Sequence, residues 1–424
     1  MYEREQKKGS NNIMKKINLS QRKEDILKNI RKLDISPSMY KNATEKYKHV
    51  GEYLLTHNIE AQIYPQGSFA TGTVVRPYRN SQDASYDIDC ICLLRYDKNK
   101  VSPEEVKNVV GDALKESQLY AVKLLPEDSR CWTLEYADIN EIGFNLDVVP
   151  SVKVDNYTLN EIVLSGAPEE LAELAISITD KKYDKYNWCN SNPRGYSQWF
   201  KEVNKPFQEH NREYRRQKLF EEYRDFYSSV EEIPVELERS SLQRVIQILK
   251  RHRDIYFSKI RKEQKKPISA IITTLVGKIG EANQNNLDIL NYDVLELLKY
   301  VVNEIDVYSE LLKRNQDDFN LLFESKSVVN KKDDRWTLLN PANPLDNLTD
   351  SWNKDNERAK LFFQWVRIIK SDFVESLEID DDKFELLLEN TLGSNLVKSS
   401  IDTKKYSVEP AATVITSTPK PYRR

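Results

Sequence analysis

The stretch SYDIDCICLL, residues 85–94, places two acids inside a segment that otherwise suits only a packed strand. Ile88, Cys90, Ile91, Cys92, Leu93 and Leu94 are the residues of a sheet interior. In a strand, residues two apart face the same side, so Asp87 and Asp89 point together while Ile88 and Cys90 point into packing. Two carboxylates that close repel each other, and desolvation makes each charge costly unless it is paired or ligates a metal. A divalent cation removes both penalties. An all-oxygen ligand set suits Mg2+ or Mn2+ rather than zinc.

A second strand-like stretch, GFNLDVVP at 143–150, repeats the anomaly. Phe144, Leu146 and Val148 form an apolar face, and Asp147 lies on the other with Asn145. A third acid beside the first two is what a pair of ions about 4 Å apart needs for in-line phosphoryl chemistry. Upstream, Gly67-Ser68 reads as a tight turn leading into a helix, where backbone and hydroxyl can approach a phosphate. Gly-Ser alone says little. Followed by Asp-x-Asp and then a lone strand Asp, it points to a metal-assisted nucleotide site, against the alternatives of chance acids on a surface or a structural metal.

The rest of the chain sets the frame. Its 424 residues allow two or three domains or one large two-lobed unit, and a net charge of −3 provides no field for gripping nucleic acid. Strong nucleic-acid binding is therefore not expected. The four cysteines lack metal or redox spacing and read as reduced, small apolar residues. No apolar run reaches membrane-spanning length and the N-terminus is not a secretory signal, so a cytoplasmic protein without membrane attachment is expected.

Periodicity divides the chain. Segment 1–18 reads as flexible, 19–57 as N-terminal helices spanning the lobes, 58–165 as a catalytic lobe of mixed α/β order, 166–395 as mainly helical and 396–424 as a flexible tail. Ser102 and Pro103 have the positions of a helix cap. The run EHNREYRRQKLFEEYRDF reads as a solvated helix face, because acids are interleaved with its arginines. Leu242, Val245, Ile246 and Leu249 mark one helix, with Ser240 or Ser241 as its cap.

YPQGSFATGTVVRP, SYDIDCICLL and GFNLDVVP together resemble the motifs of the polymerase-β-like nucleotidyltransferase superfamily, and within it the cGAS/DncV-like (CD-NTase) family of bacterial CBASS anti-phage systems. NPRGYSQWF, LQRVIQILKRHRDIYF and KPISAIITTL extend the resemblance over residues 35–370. It implies an α+β fold, a nucleotidyltransferase lobe with a mixed sheet packed against a mainly helical lobe. It further implies a synthase joining NTPs, ATP among them, into a cyclic di- or trinucleotide with release of pyrophosphate. On this resemblance Asp87 and Asp89 bind both of two Mg2+ (or Mn2+) ions. Asp147 binds one of them and helps deprotonate the attacking ribose hydroxyl. Gln66, Gly67 and Ser68 contact the donor phosphates, and Lys250 and Ser269 hold the triphosphate tail.

Pro267 independently places Ser269 in a helix first turn, which attracts anions. For Lys250 a solvated lysine beside an apolar stripe is the competing reading, and His252 reads as structural. The family also implies a cyclic-nucleotide-gated effector downstream, with HORMA/TRIP-type or conjugation proteins as accessory regulators. The ending STPKPYRR departs from the Gly or Ala terminus linked to conjugation. Two rivals stand beside this reading. One is a template-independent RNA or tRNA nucleotidyltransferase, which a near-neutral composition does not favour. The other is a non-catalytic nucleotide-binding scaffold, against which the intact acids speak.

Overall fold

The computed structural model describes residues 19–79, 81–139, 142–324, 326–375 and 381–400. The expected loose segment 1–18 and all of the expected tail except 396–400 lie outside the described residues. Residues 33–374 form one compact unit, and the described parts of 1–32 and 375–424 form another. That smaller unit contains a helix over 19–31 and two further helices, Asp381–Leu392 and Ser394–Ser400, with the Arg22 guanidinium 4.7 Å from the centre of the Phe384 ring.

The larger unit is built on a six-stranded mixed sheet. In chain order come helix α1 (Pro37–Thr56), strand β1 (Ala61–Pro65), a hairpin of β2 (Tyr78–Arg79) and β3 (Gln82–Asp83), β4 (Tyr86–Leu94) and helix α2 (Pro103–Glu116). Then follow β5 (Trp132–Ile139), β6 (Ile142–Lys153), β7 (Ile176–Lys182), β8 (Lys185–Ser191), and the helices α3 (Pro193–Glu209), α4 (Ser241–Lys259), α5 (Ser269–Ala282) and α6 (Glu357–Lys370). The sheet runs β1-β4-β6-β7-β8, with β5 also on β6. Only β4 and β6 are parallel; the other pairs are antiparallel.

Alternation decides the two faces. Tyr86, Ile88, Cys90, Cys92 and Leu94 of β4, with Phe144, Leu146, Val148 and Val152 of β6, join one buried core with Ala43, Val50 and Leu54 of α1 and Val106, Val110 and Leu114 of α2. Burial of that many aliphatic side chains, each contributing about 1.5–3 kcal/mol, fixes the register. A one-residue slip would drive Asp87 and Asp89 into this core. Helix α2 starts where Ser102 and Glu105 cap each other reciprocally. Three cysteines are buried and all four are free, as expected of small apolar residues.

The sheet runs further than the sequence pattern suggests. Strands β7 and β8 lie past residue 165, beyond the expected strand-rich segment, and turn at Tyr183 and Asp184, both with positive φ. Two small hairpins, Asn330–Lys332 with Arg335–Thr337 and Leu339–Asn340 with Asn343–Asn347, interrupt the helical C-terminal half. The charged run forms an exposed helix, Arg212–Glu222, as expected of a solvated face, although Arg212 and Arg216 bond the buried Glu238. No described helix is long and apolar enough to cross a membrane.

Helix α4 is the hub of the larger unit. Ser240 caps it through a reciprocal bond with Gln243, and fourteen of its residues are buried, from Leu242 to Phe257. Leu242, Val245, Ile246 and Leu249 form the expected apolar stripe. The other side carries a polar row. Gln243 Nε2 donates to the Thr71 carbonyl at 2.9 Å, Gln247 Nε2 to Val74 at 2.6 Å, Lys250 Nζ to Thr73 at 3.0 Å and an Arg251 guanidinium nitrogen to Arg76 at 3.2 Å. These donors, spaced at helical repeats, satisfy the backbone of the loop between Gly67-Ser68 and the β2–β3 hairpin. His252 is structural, as expected: its Nδ1 accepts from Trp365 Nε1 of α6 at 3.0 Å, and Nε2 lies 2.9 Å from Asp372.

Candidate active site

Parallel pairing of β4 with β6 puts Asp87 opposite Asn145 and Asp89 opposite Asp147. All four project from the face opposite the main core. Neighbouring strands lie about 4.8 Å apart, so the three acids share one patch of the sheet, although among the described residues no three His, Cys, Asp or Glu side chains converge as a metal cage. Mutual repulsion and loss of water act on the three acids. Burial first, then the charges of Asp147 and Asp87, lift the Asp89 carboxyl from 3.8 to about 6, with Lys250 opposing. Burial also raises Asp147, against the effect of the Thr133 hydroxyl of β5, which donates to its Oδ1 at 2.5 Å. Thr133 was not visible as a site residue in the sequence; its only signal is its place opposite Asp147 in the β5–β6 register.

The Gly-Ser turn abuts this cluster. Gln66 N–H donates to the Asp89 carbonyl at 2.8 Å, which extends the β1–β4 pairing by one bond. Gly67 then turns with φ +59°, and a Cβ there would stand 3.0 Å from Asp89 Oδ2. Glycine is favoured twice over, by the left-handed backbone and by the nearness of the carboxylate. Ser68 follows in a single helical turn, Gly67–Ala70, shorter than the helix start expected, and its carbonyl accepts from Thr73 N–H at 2.9 Å.

Lys250 is not a solvated lysine. It is 4% exposed, and burial, reinforced by Arg253, lowers its ammonium to about 7, with Asp254 and Asp89 opposing. Ser269 opens α5, and its Oγ accepts from Arg253 at 3.0 Å. Arg253 also bonds Asp254, which Lys266 approaches at 3.1 Å. Arg253 thus fixes Ser269 and adds a second positive charge beside Lys250. Nothing in the apolar periodicity of α4 singled it out.

Residues 61–149 match the family model described as cyclic GMP-AMP synthase DncV-like, nucleotidyltransferase domain. A Roseivirga ehrenbergii protein named c-di-GMP synthase is 27% identical over 315 residues, which cover 74% of this chain and 67% of that one. The Bradyrhizobium diazoefficiens CD-NTase CdnG, solved in complex with GTP, shares the fold with a TM-score of 0.63 at 18% identity, covering 89% of this chain and 96% of its own. Residues 61–149 are therefore similar to the nucleotidyltransferase domain of the CD-NTase family, as the motifs lead one to expect. CdnC of E. coli MS115-1, solved with ATP, has the same CD-NTase fold, with a TM-score of 0.51 at 13% identity over 88% of this chain and 98% of its own. The α+β, polymerase-β-like fold expected from the motifs is therefore the fold of this chain, and it is a nucleotidyltransferase. The region matching the CD-NTase model takes in Gln66, Gly67, Ser68, Asp87, Asp89 and Asp147; Lys250 and Ser269 lie beyond it, at the helices α4 and α5.

Proposed function

We propose that this chain joins nucleoside triphosphates into a cyclic di- or trinucleotide, releasing one pyrophosphate for each bond formed. The observation that carries the reading is the alignment of Asp87, Asp89 and Asp147 on one face of two parallel strands, beside a glycine turn where a Cβ would stand 3.0 Å from Asp89 Oδ2. The donor set fits divalent metal: all ligands are oxygen, and Asp89 is raised by burial and then by the like charges that a cation would neutralise. Mg2+ or Mn2+ held by Asp87, Asp89 and Asp147 supplies positive charge for the attacking and leaving oxygens of an in-line displacement.

The chain's own groups do the rest. Asp147, with Oδ1 held by Thr133, takes the proton of the attacking ribose hydroxyl. Gly67 keeps the space beside Asp89 free of a side chain, so Gln66 and Ser68 can meet the donor phosphates. Lys250 offers positive charge, and Ser269, bonded to Arg253, offers a hydroxyl to the triphosphate tail. The six-stranded sheet, which runs past the expected boundary at 165 to the end of β8 at Ser191, acts as the catalytic part, and the mainly helical segment follows it. GTP is the first substrate to try, because the Roseivirga relative is named c-di-GMP synthase and CdnG was solved with GTP. The product acts on a cyclic-nucleotide-gated effector in the cytoplasm as part of CBASS defence, a role inferred from the family.

Purified protein incubated with Mg2+ and labelled GTP and ATP, without RNA, tests the reading. A small phosphatase-resistant product is expected, and its yield should fall by about a thousandfold or more in Asp87→Asn/Asp89→Asn. Products that appear only when an RNA 3′ end is added would instead support a template-independent polymerase.

A further inference from the structure

Both oxygens of Asp87 are engaged within the protein. Oδ2 is ion-paired with the Arg79 guanidinium, and Oδ1 accepts from Asn145 Nδ2 at 3.3 Å. Among the described residues, no three His, Cys, Asp or Glu side chains converge as a ready metal cage, although the three acids share one sheet face. Arg79 offers a reason, since a guanidinium already satisfies the carboxylate that a metal ion would use.

The arm that carries Arg79 is anchored to the protein. It belongs to β2 of the β2–β3 hairpin, whose two strands are both held by Arg251 of α4, 1% exposed. Arg251 bonds Asp83 of β3 at 2.7 Å, and its guanidinium lies 4.9 Å from the centre of the Tyr78 ring of β2. It also donates to the Arg76 carbonyl at 3.2 Å, while Arg76 Nε donates to Ala84 across the base of the hairpin at 3.4 Å. The backbone of the arm is thus tethered to a buried helix. The Arg79 side chain itself is 51% exposed, so its contact with Asp87 is screened and can be exchanged.

We propose that Arg79 is a place-holding cation, which neutralises Asp87 in the nucleotide-free enzyme and yields it to the metal ion when a nucleotide binds. The nucleotide phosphates then give the guanidinium a replacement anion, and a better one, because phosphate oxygens match its paired donors. Arg79 is a positioning residue in this scheme: it makes metal loading depend on nucleotide. The inference rests on the metal-dependent reading above.

Mn2+ titration of the full chain, with free Mn2+ read by electron paramagnetic resonance, tests it without any turnover. Without nucleotide, Arg79→Gln should bind Mn2+ roughly two- to fivefold more tightly than the unsubstituted protein, the range for an exposed ion pair. Arg79→Lys, which keeps the charge, should stay near the unsubstituted value. A non-hydrolysable GTP analogue should tighten Mn2+ binding more in the unsubstituted protein than in Arg79→Gln. Equal or weaker Mn2+ binding by Arg79→Gln overturns the proposal. Should the unsubstituted protein bind no Mn2+, or Asp87→Asn/Asp89→Asn bind it equally well, the metal-dependent reading itself falls.

Discussion

At the scale of single residues, the acids are costly without metal, and that cost is measurable. Asp89 is held at about 6 against an ordinary 3.8 by burial and its two acidic neighbours. A carboxyl raised in the folded state destabilises it above about pH 6, and the cost disappears as pH falls through 6 toward 3.8. With a chelator present, Asp89→Asn should therefore be more stable than the unsubstituted protein at pH 8, by on the order of 1–3 kcal/mol. The gap in denaturant midpoint should narrow below pH 6, and added Mg2+ should raise the melting temperature only of the unsubstituted protein. A gap that widens on acidification would contradict this electrostatic account. The three acids were legible in the sequence because a carboxylate inside an apolar strand is too costly to stand there without a cation. Arg79, Thr133 and Arg253 were not: each is an ordinary polar residue in its own segment and gains meaning only from a partner on another element.

At the scale of elements, α4 orders the loop that leads from Gly67-Ser68 to Arg79, through donors at 243, 247, 250 and 251. The apolar stripe of α4 was plain in the sequence, but periodicity says nothing about whether the opposite side meets solvent or another part of the protein. The same limit hid the burial of Lys250. Strands β7 and β8 escaped notice for a different reason, since the Lys- and Asp-rich tip DKKYDK looks like a surface loop, and only its ends are apolar. Arg251→Met tests the role given to α4. Removing one partner of a buried pair leaves Asp83 uncompensated and should cost about 3 kcal/mol. Amide hydrogen exchange over residues 76–84 should speed up more than exchange in the β4–β6 core. If exchange rises equally in both, the tether is not specific to the hairpin.

At the scale of the whole molecule, the fold supplies one sheet with two unlike faces. One face is closed by α1 and α2, and the other presents the acids. The likeness to the DncV-like nucleotidyltransferase domain covers residues 61–149, which carry β1, β4 and the three acids. The central claim is that Asp87, Asp89 and Asp147 hold the ions next to a nucleotide. Anomalous diffraction from crystals grown with Mn2+ and a non-hydrolysable GTP analogue measures this directly. Two peaks about 4 Å apart are expected, Asp87 and Asp89 ligating both and Asp147 one, with Arg79 turned away from Asp87. Manganese bound elsewhere, or an Asp147 carboxylate remote from every peak, would contradict the account.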